Sequence, residues 1–151
     1  MTYEGMLYAL SRYDLRSFLI EPFSVDAYLQ RSAIRGGPNA KLGLGAHWQT
    51  LMQALPEIND SVNLEGTPAA QCWVWPADRV GDGIQRLALV DASTFSQRVQ
   101  AQLATPVLAA QLPSEAVRIE FLRTLLRLKA ELKAFLQAAA QRRDATMLYV
   151  V

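Results

Sequence analysis

What the chain lacks narrows the reading first. A single cysteine excludes an internal disulfide, and a single histidine excludes a zinc site built on several imidazoles. Neither sign of charge is in excess: fifteen basic against fourteen acidic side chains leave +1, which gives no general electrostatic reason to bind nucleic acid or an anionic membrane. Long apolar runs are missing as well. The longest apolar-rich stretch, over 121–136, is broken by Arg123, Arg127, Lys129, Glu131 and Lys133, so nothing reads as membrane-spanning. The first five residues carry an acid and no basic n-region, and the apolar run over 6–10 is too short for a signal peptide. With a lone thiol that suits a reducing compartment, the expectation is a cytoplasmic protein. The catalytic signatures are missing too: the chain contains no GxxxxGK[ST] loop, no GxGxxG after a strand, no HExxH, no CxxC and no GxSxG.

What is present is an ordinary folding chain. Its 151 residues are 51% hydrophobic and 19% charged, which suits one globular domain over 1–151 that needs neither disulfide nor metal for stability. Gly5-Met6-Leu7-Tyr8-Ala9-Leu10 reads as a first strand. Ser11 with Asp14 three residues on is a capping-box variant opening a short helix through Ile20, which Pro22 ends. Ser24 caps a second short helix to about Arg31, and the turn residues of Arg35-Gly36-Gly37-Pro38-Asn39 make a loop. The spacing of Leu44, Trp48, Leu51, Met52 and Leu55 predicts a helix over 44–55, followed by a long connection over 56–68.

Cys72-Trp73-Val74-Trp75 is β-prone and closed by Pro76. A second β segment is predicted over 84–90, after the turn Gly81-Asp82-Gly83, with a hairpin between the two as one arrangement. Asp91 or Ser93 caps a helix over 94–103, interrupted at Thr105-Pro106. The plainest element is a helix from Glu115 to about Arg142, capped by Ser114. Val117, Phe121, Leu125, Leu128, Leu132, Phe135 and Ala139 define its buried stripe, and Leu122 and Leu136 widen it. Met147-Leu148-Tyr149-Val150-Val151 closes the chain as a strand buried inside a sheet. These elements predict an α+β domain: a small mixed sheet holding the N- and C-terminal strands, with the long helix packed on it.

Few side chains are candidates for chemistry. His47 can shuttle a proton, but positions 43, 44, 50 and 51 offer it no carboxylate at helical spacing. Cys72 with His47 would make a nucleophilic pair, set against burial of the thiol in an apolar strand, which raises its pKa and renders it inert. His47, Trp48 and Cys72, with the loop over 35–39, are therefore the residues of a ligand-binding or catalytic alternative. Trp73 and Trp75 alternate around Val74 and share one face of a strand, either in the core or as a partner-binding anchor. No carboxylate cluster has the alternate spacing of a calcium loop, and neither metal nor cofactor is expected.

Charge is distributed unevenly. Residues 114–143 hold seven basic and three acidic side chains, and the remainder eight basic and eleven acidic. The helix thus either lies against its own acidic domain or turns its wet face, with Arg123 and Arg127, to an acidic partner. Ile119 and Leu126 lie one heptad apart on the side opposite Phe121, so either that side is covered too or the helix offers a second apolar strip for a partner or a homodimer.

Three segments, taken in order, are similar to the YfbM-like family, one of the domain-of-unknown-function families of small bacterial proteins. Gly5-Met6-Leu7-Tyr8-Ala9-Leu10-Ser11 followed by Asp14-Leu15 resembles its first strand and helix. Leu42-Gly43-Leu44-Gly45-Ala46-His47-Trp48-Gln49-Thr50-Leu51 resembles its central tryptophan helix. Leu132-Lys133-Ala134-Phe135-Leu136-Gln137-Ala138-Ala139-Ala140, leading into Met147-Leu148-Tyr149-Val150-Val151, resembles its final helix and strand. The polar residues the family carries around the tryptophan are replaced here by Gly45-Ala46-His47, Met52, Pro56 and Glu57. The resemblance implies an α+β fold and no particular activity. The missing catalytic signatures, the tryptophan pair and the long helix with apolar residues on two sides make a non-catalytic protein-binding module the expected function. An immunity or antitoxin-like protein is one form, by analogy of size and compartment.

Overall fold

The computed structural model describes residues 3–30 and 38–151. Five strands form one sheet: β1 (Gly5–Leu10), β2 (Ala40–Gly45), β3 (Val62–Asn63), β4 (Gln71–Trp75) and β5 (Ala145–Val150), in the order β2-β1-β5-β4-β3. Every pairing is antiparallel, where the sequence reading had allowed a mixed sheet. The first and last strands lie side by side at the centre, with Leu7 opposite Leu148 and Ala9 opposite Thr146.

Helices cover both faces. On one side lie α1 (Arg12–Ile20) and α2 (Val25–Gln30), and on the other α3 (Trp48–Gln53), α4 (Ala77–Leu87), α5 (Ala92–Leu103) and α7 (Glu115–Gln141); α6 (Pro106–Gln111) links the last two. Alternation along each strand divides the core accordingly. Cys72, Val74, Met147 and Tyr149 pack with Leu15, Phe18, Val25 and Tyr28 beneath α1 and α2. Leu7, Trp75, Leu148 and Val150 pack with Leu51, Phe95, Leu125 and Leu132 beneath the larger layer. This is why all six residues of β5 are buried and read as an unbroken apolar run. Each such fully buried large side chain contributes about 1.5–3 kcal/mol relative to exposure.

Three of the predicted caps are present, whereas Ser24 does not cap α2: it ends a short turn over Pro22–Ser24 and its hydroxyl donates back to the Glu21 carbonyl at 2.7 Å. Ser11, Asp91 and Ser114 accept hydrogen bonds from the amides of Asp14, Thr94 and Val117, at 3.1, 2.7 and 3.2 Å, and so begin α1, α5 and α7. The buried stripe of α7 starts at Leu125, later than the spacing predicts: Val117 is exposed and Phe121 half-buried. At its other end Arg143 takes a left-handed conformation, φ 58°, and the Asp144 amide returns to the Ala139 carbonyl at 2.9 Å, closing the helix without the usual glycine.

Two predicted elements differ. The segment over 84–90 is not a strand, and β4 pairs with β5 and β3 instead of forming a hairpin with it. α4 runs straight through Gly81-Asp82-Gly83, because Val80, Ile84 and Leu87 keep helical spacing and bury one side. Gly83 is small for a packing reason: a Cβ there would meet Ile58 Cγ2 at 3.3 Å. The predicted helix over 44–55 begins only at Trp48. Leu44 belongs to β2, and Gly45, at φ 55°, turns the chain between the two elements. The predicted loop over 35–39 lies outside the described residues except for Pro38 and Asn39.

Candidate functional site

Trp48 at the start of α3 and Trp73 on β4 come together, their ring centroids 5.9 Å apart and tilted by 40°. Trp73 faces the α3 side because it pairs with Leu148 at a register position of that face, as does Trp75 two residues on. Gly5 allows Trp48 to lie directly on β1, since a Cβ at that position would stand 2.6 Å from Trp48 Cβ. The three indoles have different roles. Trp75 is 6% exposed and its Nε1 donates to the Ile58 carbonyl at 2.8 Å. Trp48 is buried and donates to the Tyr3 carbonyl at 3.2 Å. Trp73 is half-buried, and its indole N–H has no hydrogen-bond partner among the described residues.

These rings line a groove of three adjoining hollows that all include Trp48. The innermost, of about 230 Å³, lies between Trp48, Trp73 and Trp75, with Met52, Ile58 and Leu148 behind and Asn59 and Ser61 at the rim. The second, of about 440 Å³, continues over Gln49, Gln53, Pro56 and Gln71. The third, of about 570 Å³, passes between α3 and α6 beside Gln49, Gln53, Thr105, Val107 and Gln111. Among the described residues, no Asp, Glu, Lys, Arg or His lines any of the three. The wall thus combines indole faces with side-chain amides that both donate and accept.

The rim over 54–60 is held by three arginines. Arg98 of α5 donates to the Ala54 carbonyl at 3.1 Å and pairs with Glu57 at 2.7 Å. Arg86 of α4 donates to the Glu57 carbonyl and to Asp60 Oδ2, both at 3.0 Å, and Arg79, two turns earlier on the same helix, donates to the Asp60 carbonyl at 2.6 Å. These bonds satisfy the Ala54, Glu57 and Asp60 carbonyls and hold the Glu57 and Asp60 carboxylates, although Asp60 Oδ1 stays buried without a partner among the described residues, and they fix the lip of the groove.

The other candidates are dispersed. His47 packs edge-on against Phe121 of α7, centroids 5.1 Å apart, and lies outside the groove lining. Partial burial and then the Arg127 charge hold its pKa below the usual value, so it is neutral near pH 7. Cys72 points to the opposite face of the sheet, fully buried, with its thiol pushed up to about 12 by burial. The sheet separates it from His47, so the two do not form a nucleophile–base pair. On α7, Ile119 is 46% exposed, whereas Leu126 packs against the core and offers little. Arg123 and Arg127 are exposed, with only long ion pairs of 3.8 and 3.9 Å to Glu120 and Glu131.

Sequence reasoning set Trp48 with His47 and Cys72, and Trp73 with Trp75, without joining the three tryptophans, and it did not single out Gln49, Gln53, Asn59 or Gln71. The one available signal was the i, i+4 spacing of Gln49 and Gln53, which puts two amides on one side of α3 next to Trp48.

No protein-family model matches the chain, and no curated protein matches it in sequence. Among solved structures, it superimposes on the crystal structure of YfbM from Escherichia coli, a protein of unknown function, with a TM-score of 0.68. The match covers 98% of this chain and 99% of that one at 11% identity, which bears on the fold alone. The antiparallel sheet, its two helical layers and the long last helix are together a YfbM-like fold.

Proposed function

We propose that the protein is a non-catalytic binding module that holds one protein partner in the tryptophan groove. The observation that carries this reading is the asymmetry among the indoles: two N–H groups are tied to the fold's own carbonyls, and the third, beside a hollow, is left for something else. A charge-poor patch of tryptophan and neutral amides has the composition of an interface core, where a few aromatic residues supply most of the binding energy. The inner hollow, about 230 Å³, is smaller than the roughly 300–1,000 Å³ of drug-sized ligand sites and suits one inserted side chain. Arg123 and Arg127 add a basic surface for an acidic region of the partner, and an immunity or antitoxin-like role is one form of such binding.

The test is capture from the native host with tagged wild type, Trp73→Ala and Arg123→Glu/Arg127→Glu, each first shown to be folded. A single stoichiometric partner, lost with Trp73→Ala and weakened at low salt by the charge reversal, is the expected result. A partner retained by folded Trp73→Ala contradicts the proposal.

A further inference from the structure

Beyond the groove, we infer that a second copy of this chain docks on the outer side of α7, the two helices running antiparallel about a two-fold axis at Ile119. None of residues 115–124 of α7 is buried, and Ile119 is 46% exposed on the side turned away from the core. The chain before the helix is tied down elsewhere: Arg118 Nε donates to the Leu112 carbonyl at 2.8 Å, about a quarter turn round the helix from Ile119. What selects a second copy is the charge pattern on the open side. Glu115 and Arg123 stand four residues before and after Ile119, about 6 Å along the axis and about 40° to opposite sides of it. A half-turn about an axis through Ile119 reverses both the direction and the side, so Glu115 of each copy comes beside Arg123 of the other. The same operation sets Ala116 against Leu122 and Ile119 against itself. A parallel, in-register pair instead leaves Glu115 and Arg123 about 12 Å apart along the axis. Both charges are available, since Glu115 has no ion pair among the described residues and Arg123 reaches Glu120 only at 3.8 Å. Charge pairs flanking a helix seam fix partner and orientation more than they add strength. The contact involves only residues 115–123 of each copy, which is small beside the roughly 1,200–2,000 Å² of stable interfaces, so the dimer is a weak one. Arg127, one turn further on, lies beyond it and remains open to an acidic partner.

The experiment is sedimentation equilibrium of the full chain at low salt, over about 10 μM to about 1 mM, the range of a weak association. It compares wild type, Ile119→Arg, Glu115→Arg, Arg123→Glu, the double swap Glu115→Arg/Arg123→Glu and Trp73→Ala, each first shown to be folded by circular dichroism. The wild type is expected to pass from monomer to dimer across the series. Ile119→Arg sets two like charges on the axis, and each single swap sets like charges beside it, so all three are expected to weaken dimerisation about 10-fold or more. The double swap restores the opposite-charge pairs and is expected to restore the dimer. Trp73→Ala is expected to dimerise as the wild type does, which separates this contact from the groove. A wild type that stays monomeric throughout overturns the inference. So does a dimer that survives Ile119→Arg, one that the double swap fails to restore, or one that is lost with Trp73→Ala.

Discussion

The Trp73 ring rests against Trp48 with centroids 5.9 Å apart, one residue from the inner sheet and the other from the helix laid over it. This contact forms part of the core, and it also opens the groove. Truncating the two tryptophans of β4 therefore has unequal consequences. Trp75→Ala removes a buried ring and orphans the Ile58 carbonyl, an expected loss of about 3–5 kcal/mol. Trp73→Ala, at a half-buried ring with no hydrogen bond to lose, is expected to cost about 1–2 kcal/mol. Urea denaturation of both variants checks the order, and equal losses would contradict the division of roles.

Trp48 is seated through Gly5. Since a Cβ at position 5 falls 2.6 Å from Trp48 Cβ and 2.8 Å from its Cγ, Gly5→Ala pushes the indole off β1. The expected cost is about 1–3 kcal/mol of stability by overpacking, with a changed Trp48 indole resonance in the NMR spectrum. An unperturbed spectrum would show that the ring is not held there.

Much of this fold is legible in the sequence, and the failures have physical causes. β1, α7 and β5 stand out because their apolar patterns are long and of a single period. α4 was obscured because Gly81 and Gly83 are turn residues by composition, while in the helix Gly83 makes room for Ile58 and Gly81 faces open space. β2 was obscured because its two glycines dilute a strand pattern and Leu44 happens to stand four residues before Trp48. In the site, aromatic side chains advertise themselves whereas neutral amides do not. The arginine clamp was invisible because Arg98 and Glu57 are 41 residues apart and meet only through the fold.

That clamp is testable by a double-mutant cycle on Arg98→Met and Glu57→Gln. The pair is partly buried and shares a hydrogen bond with the Ala54 carbonyl, so a coupling of about 1–2 kcal/mol is expected. A coupling indistinguishable from zero would mean that the lip of the groove is held by other contacts.

Helix α7 ends on a residue poorly suited to its backbone. Arg143 is exposed at φ 58°, where glycine has no steric penalty, so Arg143→Gly is expected to stabilise the protein by about 0.5–1 kcal/mol. Thermal unfolding decides it; a lowered Tm would indicate that the Arg143 side chain makes a compensating contact.

As the sole histidine, His47 gives an unambiguous NMR titration. Burial, followed by the Arg127 charge, places its pKa below the ordinary imidazole value of about 6.5. A depressed folded pKa means that the unfolded chain binds the proton more readily. The contribution of His47 to stability is thus present above the unfolded pKa and lost as pH falls from there through the folded value. Arg127→Gln is expected to move the titration upward. A pKa at or above 6.5 in the wild type would contradict the packing of the ring on Phe121.

The groove as a binding surface is tested most directly by a photo-cross-linking residue placed at Gln53 inside it and, separately, at exposed Leu89 outside it, in the native host. The account predicts one discrete adduct from position 53, abolished by Trp73→Ala in the folded protein, and none from position 89. An adduct from position 53 that persists without Trp73, or a partner captured only from position 89, would contradict it.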